Sequence, residues 1–349
     1  MVKWVFVYTS EKNVGIRPIS VLAALMAGFD RVAAQPLLLL PTVLLDLFLW
    51  LGPHLLVPSI VQLASSSLTP PAGVDPSVAE QLLTYREAII DVATRYNLFS
   101  ALSTLPAGMP FNMIFGLLGS LMVGLPSLLA MRLATASPFG TPMELELGSL
   151  QSGVWIWLGF SVVGIALATG YLRLIARGHS NGEPVASFRD AFPRLLGLAA
   201  AGYLLTFITL LGVALLGSFD AVLYVGMPLL FVGAVYLSFT TQGVVRYGMR
   251  IGKAMRESLR VVRWNFFGSM SLLLLSFFLI WTAATQVWSL PGENSWYMLL
   301  AIGGHAFVST TLISASYAYY QGRREWMLGL AEMILQQQSQ DPNPPSESA

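Results

Sequence analysis

Cysteine is absent from the chain, which excludes disulfide frameworks, thiolate nucleophiles, iron–sulfur clusters and cysteine-built zinc sites together. Histidine occurs only at His54, His179 and His305, too few for histidine-rich metal chemistry. Charge is scarce as well. Asp, Glu, Lys and Arg make up 11% of the residues, against about 25% in an ordinary soluble domain, and the net charge of +1 gives nucleic acid nothing to hold. The sequence contains no phosphate-cradling glycine loop with lysine, no helical His-Glu-x-x-His zinc site, no Gly-x-Ser-x-Gly elbow and no paired carboxylates. No enzyme, no metal and no cofactor is therefore expected.

Apolar and aromatic residues supply 55% of the chain, and they come in long runs. A hydrocarbon layer about 30 Å thick takes roughly 20 helical residues to cross. Runs of that order cover Leu37–Val61, Val154–Leu174, Leu195–Leu216, Ala221–Thr240, Met270–Trp288 and Tyr297–Tyr317. A seventh, Phe111–Met131, carries Pro126 and is ambiguous. Basic residues decide between the two counts, because they favour the cytoplasmic ends of spans. Six spans with the N-terminus inside put sixteen of the nineteen basic residues in the cytoplasm, leaving Arg86, Arg95 and Arg132 outside. Seven spans strand Lys3, Lys12, Arg17 and Arg31 on the wrong face. The expectation is an all-α integral membrane bundle of six spans, with both termini in the cytoplasm and with Phe111–Met131 re-entrant or lying on the outer leaflet. Trp155, Trp157, Trp288, Trp296 and Tyr297 then fall at the outer headgroup level, and Tyr319 and Tyr320 at the inner one.

The order of elements repeats. Three short amphipathic stretches, Ile19–Gln35, Val185–Arg194 and Arg246–Trp264, each run into a hairpin of spans, so three units of interfacial helix plus two spans are expected. The third stretch is the sharpest. Ile251, Met255, Leu259 and Val262 take one side, and Arg246, Arg250, Lys253, Glu257 and Arg260 take the other. With Arg256 and Arg263, these basic residues are candidate contacts for anionic lipid, although positive loops also serve simply to fix topology. The first unit differs in its outer connection, Gln62–Gly153. There Asp75-Pro76 reads as a helix start, followed by an amphipathic helix over 75–97 with Val78, Leu82, Ile89, Ala93 and Tyr96 on one stripe. That helix caps the bundle or meets a protein partner. A cytoplasmic lead precedes residue 19, and the polar, proline-rich tail 337–349 is expected to be disordered.

A few polar residues stand where lipid should not tolerate them without a reason. Asp46 sits ten positions into the first apolar run, where a lone carboxylate costs about 2.5–3.5 kcal/mol on insertion scales. It should be paired or protonated, either as a hydrogen-bond anchor to a hydroxyl on another span or as a proton or cation site. His305 follows Gly303-Gly304 and opens a polar face through Ser309 and Ser316. Interhelical packing accounts for such a face, with a proton relay as the sharper alternative.

In arrangement the chain resembles bacterial membrane proteins related to the membrane domain found beside glycerophosphodiester phosphodiesterases. The residues that carry the resemblance are Ser258-Leu-Arg-Val-Val-Arg-Trp-Asn-Phe-Phe before the fifth span, and Ser309-Thr-Thr-Leu-Ile-Ser, Tyr319-Tyr320 and Arg323-Arg-Glu in and after the sixth. It implies a fold and an inner-membrane location, and no phosphodiesterase activity, because the acidic metal ligands of the soluble partner are missing. The expected function is a non-enzymatic, multi-pass protein of the plasma (inner) membrane that organises lipid or a partner complex. The alternative is a transporter or channel with Asp46 and His305 in a polar path.

Overall fold

A computed structural model of the chain describes residues 18–67, 70, 73, 75–103, 124–132, 136–180, 182–216 and 227–340. Ser20 opens helix α1 (Val21–Ala34) by accepting the backbone N–H of Ala23 at 3.1 Å. Pro36 cannot donate the hydrogen bond that would carry the helix on. The chain turns by 97° into the segment 36–51, whose α-helical part is α2 (Leu40–Leu51).

The stretch Ile19–Gln35, expected to lie flat at the interface, instead packs antiparallel along the last helix, α12 (Met298–Gln340). Ile19 meets Gly322, Gly28 sits against Thr311 and Ala315, and Phe29 makes an edge-to-face pair with Phe307 at 5.5 Å. A Cβ on Gly28 would stand 2.5 Å from the Thr311 carbonyl oxygen and 2.7 Å from the Ala315 nitrogen. The missing side chain is what lets the two backbones approach, as small residues do between membrane helices.

The first apolar run, expected as one span from Leu37 to Val61, is also divided. Gly52 ends α2, strand β1 follows at His54–Leu56, and helix α3 covers Pro58–Ser67. The reason lies across the insertion. β1 pairs in parallel with β2 (Glu144–Glu146), His54 opposite Glu144 and Leu56 opposite Glu146. This clasp joins the two ends of the long connection between α2 and α6 (Leu150–Gly178). Between them, Asp75 caps helix α4 (Pro76–Arg95), accepting the Ser77 N–H at 2.9 Å and the Ser77 hydroxyl at 2.6 Å. α4 packs on α3, and Val78 on the expected apolar stripe remains exposed. Most of Phe111–Met131 lies outside the described residues. Its end forms the short helix α5 (Leu128–Arg132).

Helices α6 (Leu150–Gly178) and α12 are each long and apolar enough to cross a membrane, and two bent pairs, 21–51 and 251–280, raise the number to four if each is one broken span. On α6 apolar side chains lie on both faces, Ile165, Leu172 and Ile175 being buried. Trp155, Val163, Leu167 and Leu174 are exposed, while Ser161 and Thr169 are buried. Large apolar side chains face outward because the surrounding solvent is hydrocarbon.

In the second unit no separate amphipathic helix forms. α7 runs unbroken from Phe188 to Leu216 with Pro193 in its second turn. α8 (Met227–Leu237) and α9 (Thr240–Tyr247) follow. Gly248, at φ +62°, ends α9 in the left-handed conformation that glycine adopts without steric cost. The expected helix Arg246–Trp264 is thereby cut, and α10 occupies Ile251–Trp264 alone. It turns by 102° into α11 (Phe266–Thr282). Asn265 at this corner accepts a 2.6 Å hydrogen bond from Arg323 of α12. Tyr319 and Tyr320 are core residues, stacked on Phe239 at 5.6 and 5.9 Å. α12 continues as helix to Gln340, into the first residues of the expected disordered tail.

Candidate functional site

Asp46 is fully buried, and the structure supplies its partners. The Ser127 hydroxyl donates to Oδ1 at 2.5 Å, the Leu129 N–H to the same oxygen at 3.1 Å, and the Leu128 N–H to Oδ2 at 3.1 Å. Ser127 Oγ in turn accepts the Ala130 N–H at 3.1 Å. The first backbone donors of α5 would otherwise stand unsatisfied in an apolar interior, and the Asp46 carboxylate together with Ser127 satisfies them. The hydroxyl expected from another span thus comes from Ser127, just before α5. No hydrogen bond among the described residues joins Asp46 to His305.

His305 is buried one turn before Ser309, and its Nε2 lies 3.3 Å from the Ser309 hydroxyl. The polar face continues along α12, where Thr310 and Ser314 meet α6 and its C-terminal cap and Ser316 meets α9. Thr310 Oγ1 is 2.9 Å from the Tyr171 hydroxyl of α6, Ser314 Oγ is 2.9 Å from His179 Nε2, and Ser316 meets the Gln242 amide of α9 at 2.9 Å. The face cross-links the bundle.

Sequence reasoning missed the group where this ladder ends. Arg31 of α1 lies directly on Gly178, the last residue of α6. From α9, Arg246 donates to the Ser180 carbonyl at 3.2 Å and to Glu183 Oε2 at 2.7 Å. Two guanidiniums thus converge on the carbonyl-rich end of α6, where the helix dipole is negative. His179 lies between them, and burial, reinforced by Arg31 and Arg246, pushes its imidazole down to about 4. The two neighbouring guanidiniums and the loss of solvent thus both favour the neutral imidazole. No local pattern announces this group, since its members come from three elements far apart in sequence.

Of the six basic residues read as lipid contacts, Arg246 departs from that role, with only 3% of its side chain exposed and its charge turned inward. The other five, Arg250, Lys253, Arg256, Arg260 and Arg263, are exposed on or at the start of α10. The opposite side, Ala254, Ser258, Val261 and Val262, is buried. Ser258 fastens it, donating to the Tyr236 carbonyl at 2.7 Å and accepting the Phe239 N–H at 3.1 Å. Leu259 and Trp264 are exposed beside the basic residues. Among the described residues no group of His, Asp and Glu is placed to hold a metal ion. Comparisons with protein families, with characterised proteins and with solved structures found no match to this chain.

Proposed function

We propose that the chain is a six-span, non-enzymatic protein of a bacterial-type inner membrane that gathers anionic lipid at its cytoplasmic face and so organises the bilayer around it. The spans would be the segment 36–51 with its continuation, α6, α7, α8, α11 and α12, with both termini inside. The observation that carries this reading is α10. Five exposed basic side chains lie on a helix set at 102° to the apolar helix that follows it, the disposition of a helix held in the headgroup layer. The polar groups deeper in the bundle support the same reading, because Asp46 already accepts three hydrogen bonds from Ser127 and the start of α5 and the face of α12 is used in cross-links.

The test is lipid retention. Each basic residue near an anionic surface contributes about 1 kcal/mol. Changing Arg250, Lys253, Arg256 and Arg260 together to Gln should therefore strip phosphatidylglycerol from the purified protein, while the same four changed to Lys or Arg should keep it. Equal retention by the Gln and the charge-preserving variants would reduce α10 to a topology signal and end this proposal.

A further inference from the structure

A groove of 320 Å³ opens between α10 and α12, a volume near the lower end of the roughly 300–1,000 Å³ of ligand clefts. Arg324, Ala331 and Ile334 line it from one face of α12, and Glu257, Arg260 and Trp264 line it from α10. From Arg324 to Ile334 is about 15 Å along the helix. The groove is thus a short slot with room for one medium-length acyl chain, mainly apolar, with its charged groups gathered toward the Arg324 end.

Those charges do not balance. Arg260 donates to Glu257 Oε1 at 3.2 Å, and the two cancel. Arg324 has no carboxylate partner among the described residues. Its guanidinium lies 4.3 Å over the Tyr247 ring, and its Nε is buried without a hydrogen-bond acceptor. Tyr320, fully buried and in edge contact with Tyr247, has a hydroxyl in the same condition. Buried donors left without an acceptor are costly, and a carboxylate can accept from a guanidinium and a hydroxyl at once. One uncompensated positive charge calls for a monoanion. The second negative charge of a phosphate monoester would face Glu257 with no cation to balance it.

We propose that this groove binds a fatty acid, the carboxylate on Arg324 and the single chain laid along α12 toward Ile334 and Trp264. Such binding is independent of lipid gathering by α10, and a fatty acid reaches the groove from bilayer or water alike. In the cysteine-free, full-length protein, exposed Ala331→Cys puts a reporter in the slot. In nanodiscs of neutral phosphatidylcholine at mildly alkaline pH, laurate should protect the introduced cysteine from maleimide saturably. Lauryl alcohol, the same chain without charge, should need about a tenfold higher concentration, the equivalent of about 1.4 kcal/mol. Arg324→Gln in the same background should weaken protection by laurate to that of the alcohol and leave the alcohol unchanged. The comparison of laurate with the alcohol reads the charge in the parent itself, so it holds even if the Gln variant folds poorly. No protection by laurate would leave the groove without this ligand. Equal protection by the alcohol, or by laurate in a folded Arg324→Gln protein, would make the groove an apolar surface that any chain wets. Protection by phosphatidylglycerol in the nanodisc as complete as that by laurate would assign it to a two-chain lipid. Each of these three results overturns the proposal.

Discussion

Two charged residues buried in this bundle make opposite demands on their surroundings. Asp46 accepts three hydrogen bonds from a hydroxyl and two backbone N–H groups, so Asp46→Asn turns one acceptor into a donor facing a donor. A buried donor left unpaired costs about 1–3 kcal/mol. The variant should fold with thermal stability reduced by that order, and neither it nor the parent should conduct protons or cations in proteoliposomes. Parental flux abolished by the one substitution would make Asp46 a transport site. Arg246 has 3% of its side chain exposed, against 68% for its partner Glu183. Glu183→Gln leaves a buried guanidinium with less compensation, whereas Arg246→Met leaves a carboxylate in water and an apolar chain in the core. Glu183→Gln should therefore lower stability, by no more than about 1 kcal/mol because solvent screens the exposed carboxylate. Arg246→Met in the Glu183→Gln background should recover part of that loss in chemical unfolding. That Asp46 needed a partner was legible in the sequence. That its partner is Ser127, 81 positions away, was not, because nothing local marks which hydroxyl a fold will deliver.

Helices whose ends are written in local chemistry were readable, and those ended by distant contacts were not. Asp75-Pro76 announces α4 and the structure starts it there. Leu37–Val61 reads as one span from hydropathy, yet it breaks at Gly52 because β1 must meet β2. The basic stretch reads as one helix from Arg246, yet Gly248 cuts it and turns Arg246 inward. Neighbouring glycines on α12 test how tightly elements are matched. A Cβ at Gly304 would run into the Trp288 ring, while at Gly303 it would meet nothing within 4 Å. Gly303→Ala should be neutral or stabilising by up to about 1 kcal/mol, from helix propensity alone. Gly304→Ala should destabilise by about 1–3 kcal/mol, as overpacking does. Thermal unfolding of the two single variants reads the difference, and equal shifts would contradict the packing of Trp288 on α12.

At the scale of the whole molecule, orientation is the property on which the functional proposal stands. Ser258 is a poor reporter of it, since it is buried between α10 and the turn before α9. Exposed positions serve instead: Gln81 on α4 and Lys253 on α10. In intact cells an impermeant maleimide should label Gln81→Cys, and should label Lys253→Cys only after permeabilisation. The reverse pattern would invert the topology. The parallel clasp at His54–Leu56 and Glu144–Glu146 bears on how such a molecule can change over generations. Its strands stand about 4.8 Å apart, so the chain leaves after Leu56 at one end of the short clasp and returns before Glu144 at the other. The flanking helices bridge the same distance whatever lies between. Length can therefore change most freely in α3 and α4 between the clasp and Tyr96, whereas Asn97, Phe99 and the stretch 125–132 are tied into the helical core and would have to be kept.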